Sequence, residues 1–90
     1  MPAKVEYKAS AEKDLRGLDP PVALRLQRMI ERNLIERGSQ GIALSGPFSG
    51  FYRLRVGDYR VIYRRAAEGY VVVRIGHRRE VYRKAPPEVQ

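Results

Sequence analysis

The dipeptide Gly57-Asp58 sits between two runs of alternating apolar and polar residues, and it constrains the chain more than any other feature. Such a pair between β-rich runs predicts a tight hairpin. Counting outward from it fixes a register: Val56 opposes Tyr59, Arg55 opposes Arg60, Leu54 opposes Val61 and Arg53 opposes Ile62. Side chains alternate between the two faces of a strand. Arg53, Arg55, Arg60 and Arg64 therefore share one face, and Tyr52, Leu54, Val56, Val61 and Tyr63 share the other, which is a core face. Like charges directly opposed weaken a strand pair. A hairpin that keeps Arg55 opposite Arg60 implies an anion between them, and guanidinium geometry makes the phosphates of a polyanion the leading candidate.

The positive charge is concentrated in this part of the chain. The 90 residues carry a net charge of +8. Residues 51–84 hold ten basic against three acidic residues, a net +7, and the remainder is close to balance. That distribution points to nucleic-acid contact rather than to a uniformly soluble surface. There is no cysteine, so disulfides, thiolate metal sites and a thiol nucleophile are excluded, and His77 as the only histidine excludes a multi-histidine metal centre. No apolar run is long enough to span a membrane and no signal-peptide core follows Met1, so a soluble cytoplasmic protein is expected.

Upstream, residues 3–9 alternate with Val5 and Tyr7 on one side, which predicts a short half-buried strand. Ser10 is placed to cap a helix over 11–18, with Glu12 and Asp14 near its positive end. Asp19-Pro20-Pro21 starts a second helix, which the stripe Val22, Leu26, Met29, Ile30, Leu34 and Ile35 carries to about Arg37, with Gly38 as its cap. Residues 39–50 read as a loop pinned by Ile42, Leu44 and Phe48, and two more strands follow the hairpin's first, the last ending at Gly76. The expected fold is α+β, a single domain over 1–90 in the order β-α-α-β-β-β. A helical hairpin packs on one face of a small, mainly antiparallel sheet, the other face is free, and residues 83–90 form a frayed tail.

On the free face Arg53, Arg55 and Arg60 converge, and His77, Arg78, Arg79 and Tyr82 leave the last strand nearby. Guanidiniums with an imidazole and a phenol suit metal-independent RNA cleavage. The 2′-OH attacks the adjacent phosphorus, fixed guanidiniums stabilise the added charge on its oxygens, and other groups move the two protons. Arginine is a poor proton shuttle, so Tyr82 and His77 are the proton-transfer candidates on chemistry alone. Arg64 reads instead as a solvated strand residue.

The segments FYRLRVGDYRVIYRR and VVVRIGHRREVYR, at 51–65 and 71–83, resemble the RelE/ParE superfamily of type II toxins. The element order is similar too, so the resemblance spans nearly the whole chain. In the RelE branch it implies a toxin that enters the ribosomal A site and cuts mRNA there. No cofactor is implied, and the partners are the ribosome, mRNA and a cognate antitoxin that is net acidic, partly disordered when free, and joined to the toxin in a hetero-oligomer. In the ParE branch it implies an inhibitor of DNA gyrase without nuclease activity, and a basic binding module without toxicity is a third alternative. Carried over by position, Arg53 and Arg55 match two alternating basic residues that are commonly lysines, Arg60 the arginine after the turn, Arg78 that of the terminal segment (with Arg79 one register away), and Tyr82 the closing tyrosine. The resemblance gives Arg55, Arg60, Arg78 and Tyr82 catalytic roles, with Arg53, Arg79 and His77 holding RNA phosphates.

Overall fold

The computed structural model describes residues 3–83. The alternating N-terminal segment forms β1 (Lys4–Tyr7), followed by α1 (Ala9–Arg16) and α2 (Pro20–Glu31). A two-residue strand β2 (Ile42–Ala43) lies in the segment read as a loop, and β3 (Tyr52–Val56), β4 (Tyr59–Ala66) and β5 (Gly69–His77) complete the chain. The five strands form one sheet in the order β1-β5-β4-β3-β2, with β1 parallel to β5 and the other neighbours antiparallel. The fold is α+β, as expected. The expected tail lies, apart from Arg83, outside the described residues.

The hairpin register is the one the turn dictates: Arg55 pairs with Arg60, Leu54 with Val61 and Arg53 with Ile62. Gly57 has φ 58°, and no other residue of the turn has positive φ. That is the type II′ pattern, which glycine at the first central position satisfies without steric cost.

The second helix begins where expected, with Asp19 before Pro20 and Pro21, whereas α1 departs from the capping argument. Lys8, not Ser10, precedes the first turn of α1. Ser10 Oγ donates instead to the Val73 carbonyl at 2.7 Å, and the Ile75 N–H donates to Asp14 Oδ2 at 2.9 Å. The reason lies in β5. β1 stops at its pairing with Val72, and there the β4–β5 ladder carries a bulge, because Ile62 pairs with Arg74 while Tyr63 pairs with Val72. A bulge leaves a residue outside the ladder and bends its strand. The side chains of α1 take over the backbone groups that β1 no longer reaches, which also shields a strand edge.

Helical winding continues past α2, but residues Arg32–Glu36 form a π-helical turn. Asn33, buried there, donates from Nδ2 to the Met29 carbonyl at 2.9 Å. Gly38 and Ser39, with φ 68° and 69°, then reverse the chain.

Ala11, Leu15, Leu26, Ile30 and Leu34 from the helices pack on Leu54, Val61, Tyr63, Val72 and Ile75 of the sheet. The opposite face is not free. The segment after β2 and the end of the chain fold over it, and Phe51, Ile62, Val71, Val73 and Val81 form a second, smaller core with Leu44 and Phe48 against it. Sequence periodicity missed this layer because Phe48, Phe51 and Val81 have no regular spacing to reveal it. Among the described residues no helix is long and apolar enough to cross a membrane.

Candidate nucleic-acid interface

The arginine face keeps one open region, at the end of the β3–β4 hairpin. Arg55 is exposed and opposite the half-buried Arg60. Arg60 curls back onto its own turn, donating from Nη1 to the carbonyls of Gly57 at 3.0 Å and Tyr59 at 2.9 Å. Both Nη1 hydrogens are thereby engaged, and the Nε–Nη2 edge of the fork is the part that can grip a phosphate bidentately. The same turn holds a second basic residue, because the Arg78 N–H donates to the Asp58 carbonyl at 2.8 Å.

Residues after β5 form successive turns, with Glu80 and Val81 N–H groups donating to the His77 carbonyl at 2.8 and 3.0 Å. This reversal carries Val81 back over the sheet into the second core and leaves Tyr82 beside the hairpin end, 38% exposed. The electrostatics record the convergence. Burial lowers the Arg60 pKa first, the positive charges of Arg55, Arg53 and Arg78 lower it further, and Tyr82 acts in the opposite direction. A guanidinium crowded by three others gains by binding an anion, since each opposite charge relieves the mutual repulsion.

The structure thus brings together Arg53, Arg55, Arg60, Arg78 and Tyr82. His77 is elsewhere. β5 runs through His77 rather than ending at Gly76, and His77 pairs with Tyr59, with the two rings edge to face at 6.1 Å. Paired residues share a face, and Tyr59 packs against the helix-side core, so the imidazole points away from the arginines. Arg79 is exposed one position beyond Arg78, with its backbone N–H donating to His77 Nδ1 at 3.3 Å. Arg64 also departs from the expectation of a solvated residue: it is half-buried, and its Nε is buried with no hydrogen-bond partner.

Two residues without an expected role touch the site. Arg74, turned onto this face by the bulge, donates from Nη1 to the Val81 carbonyl at 2.9 Å, and Phe48 meets the Tyr82 ring edge to face with centroids 5.3 Å apart. Burial lowers the Arg74 pKa, with the Asp14 carboxylate opposing. Among the described residues no group of three or more His, Asp or Glu side chains is placed to hold a metal ion.

The fold and the site define a small basic α+β domain that gathers arginines and one tyrosine at a hairpin end. The chain belongs to the family of ParE toxins of type II toxin–antitoxin systems, parDE, whose family model matches residues 5–82. Its fold is shared with the toxin–antitoxin complex RelBE2 from Mycobacterium tuberculosis, at 26% identity and a TM-score of 0.75 over 86% of this chain and 99% of that one. The RelB–RelE antitoxin–toxin complex from Methanococcus jannaschii has the same fold, at 22% identity and a TM-score of 0.65 over 87% of this chain and 95% of that one. No curated protein sequence matches the chain.

Proposed function

We propose that this toxin is a ribosome-dependent endoribonuclease that cleaves mRNA in the A site. The observation that carries the reading is the convergence of Arg53, Arg55, Arg60, Arg78 and Tyr82 at one open hairpin end, where burial first and then the charges of Arg55, Arg53 and Arg78 lower the Arg60 pKa. The likeness to RelBE2 and to RelB–RelE supports it. The RNA 2′-oxygen forms a bond to the adjacent phosphorus, the bond to the 5′ oxygen breaks, the 2′ proton leaves to a base and the 5′ oxygen takes up a proton. Arg60 and Arg78, fixed by the turn carbonyls, donate to the non-bridging oxygens as charge builds on them. Arg55, opposite Arg60, adds its charge to theirs, and Arg53 and Arg79 hold the flanking phosphates. Tyr82 orients the attacking nucleotide and, with His77 facing the other way, is the proton-transfer group left at the cluster.

The partner is a cognate antitoxin, net acidic where it covers residues 51–84, because that segment carries ten basic against three acidic residues. Toxin and antitoxin form a hetero-oligomer in the cytoplasm.

ParE-type inhibition of DNA gyrase is the second reading. It is favoured by the matched family's description and by the absence of lysine and imidazole from the cluster. Induced expression separates the two. Translation arrest with mRNA ends mapping to the A site supports cleavage. An SOS response with gyrase-linked DNA breaks and intact mRNA supports the gyrase reading and rejects the nuclease.

A further inference from the structure

We propose that Phe48 and Arg74 are positioning residues that hold Tyr82 in the orientation in which it meets the arginine cluster. Tyr82 needs such support. It is 38% exposed and stands on a run of turns beyond the last strand, so neither a ladder nor deep burial fixes its ring. An exposed aromatic side chain of that kind exchanges rotamers on a fast timescale unless a neighbour holds it.

Three contacts hold it. The Phe48 ring stands edge to face against the Tyr82 ring, with centroids 5.3 Å apart and planes at 86°. That is the preferred arrangement of two aromatic quadrupoles. The Arg74 guanidinium lies over the Phe48 ring, its Cζ 5.8 Å from the centroid, within the range of a cation–π contact. The same guanidinium donates to the Val81 carbonyl at 2.9 Å, which fixes the backbone immediately before Tyr82. Arg74 thus grips the tyrosine twice, once through the main chain and once through Phe48.

The surrounding backbone is shaped for this. The bulge between Ile62 and Tyr63 puts Arg74 opposite Ile62, on the arginine face. Gly76 lies under the returning chain: a Cβ there would stand 3.4 Å from the Val81 Cβ, in van der Waals contact with it. The 3-10 turn Gly46–Phe48 delivers the phenyl ring from the other side. None of these residues lies within the arginine cluster itself, so their effect on chemistry passes through Tyr82.

The proposal deepens the nuclease reading and rests on it for its catalytic readout. A second readout does not need it. Phe48→Leu keeps an apolar side chain at the position, somewhat smaller, and removes the ring edge. In single-turnover cleavage of mRNA on programmed ribosomes, Phe48→Leu is expected to lower the maximal rate by roughly 10- to 100-fold, as small misplacements of reacting groups do. Its half-saturating concentration and Tm should stay at wild-type values, and Phe48→Tyr should restore the rate. In a Tyr82→Ala background Phe48→Leu should cost nothing further. An additional loss in that background, or a rate that follows Tm, would overturn the proposal. Should Phe48→Leu fail to fold, Arg74→Lys, which keeps the charge and leaves Phe48 in place, gives the same comparison.

The second readout uses the absence of tryptophan from the chain. Tyr82→Trp places a single indole at the position, and its fluorescence anisotropy decay reports ring mobility. A restrained indole that becomes mobile on Phe48→Leu supports positioning. An indole equally mobile in both overturns it. If wild-type protein leaves ribosome-bound mRNA intact, the nuclease reading fails, and the anisotropy still decides whether Phe48 holds position 82.

Discussion

Tyr63 and Arg60 are three residues apart on β4 and face opposite sides of the sheet. Tyr63 is fully buried, stacks on Tyr52 with centroids 5.5 Å apart, and meets Tyr70 edge to face at 5.7 Å. Its hydroxyl is 2.6 Å from Ser39 Oγ, and Gly41 lies so close that any side chain there would strike the phenol. Burial raises its pKa, with the Ser39 hydrogen bond opposing. Arg60 is half-buried, bonded to its own turn, and surrounded by like charge. On the helix side the larger core packs both helices against the sheet, and the Tyr63 hydroxyl has its partner within it. On the arginine side the core is thin and the open end of the hairpin holds uncompensated charge. The larger core lies on one face, and the like charges gather on the other, beside the smaller one.

Substitutions on the two faces should therefore separate stability from activity. The largest effect is expected from Tyr63→Ala, about 3–5 kcal/mol of stability in a denaturant titration, the cost of deleting a buried aromatic ring. Arg60→Ala should do the reverse, lowering mRNA cleavage roughly 100- to 1000-fold, the loss of one transition-state donor, with the unfolding midpoint unchanged. A stability loss in Arg60→Ala matching that of Tyr63→Ala would erase the distinction between the faces.

Ser39→Ala sharpens it further. It leaves the φ of 69° in place and removes one of two partners of the buried Tyr63 hydroxyl, the other being the Gly41 backbone. A loss of about 0.5–1.5 kcal/mol is expected from calorimetry, the net worth of one hydrogen bond.

Tyr7 supplies a pH test confined to the helix side. Its hydroxyl is buried without a partner, and burial, aided by the Glu31 carboxylate, raises its pKa from 10.0 to about 12. A group whose pKa is raised on folding contributes stability below its unfolded pKa and loses it as pH rises through the folded one. Wild type should therefore lose stability relative to Tyr7→Phe between pH 10 and about 12. Parallel curves for the two proteins across that range would show that the phenol does not titrate with folding.

The smallest effect on cleavage is expected from Arg64→Ala, which lies on the arginine face but outside the cluster, with cleavage close to wild type in the same assay. Equal losses in Arg64→Ala and Arg60→Ala would mean that general basic charge, not a placed site, explains activity.

The arginine pairing was legible in the sequence because it is local. Two residues of turn and a period of two leave one register, so Arg55 opposite Arg60, Arg53 beside them and the apolar face of Leu54, Val61 and Tyr63 follow by counting. The helices were legible from their apolar stripes, and Asp19 as the residue preceding α2, whereas α1 begins earlier than expected and Ser10 is taken by the Val73 carbonyl. What only the tertiary structure decided depends on contacts between residues far apart in the chain. The parallel pairing of β1 with β5 joins residues 4–7 to residues 69–72. The bulge that turns Arg74 to the arginine face has no turn residue to announce it, and the β5 backbone groups beyond the reach of β1 are taken by Ser10 and Asp14, more than 60 positions away. His77 was expected to leave the sheet beside the arginines, but pairing with Tyr59 extends β5 through it. Tyr82 could be singled out by its neighbours in sequence, but not aimed. Its direction is set by Phe48 and by Arg74 through Val81, an irregular second layer whose packing no local periodicity encodes.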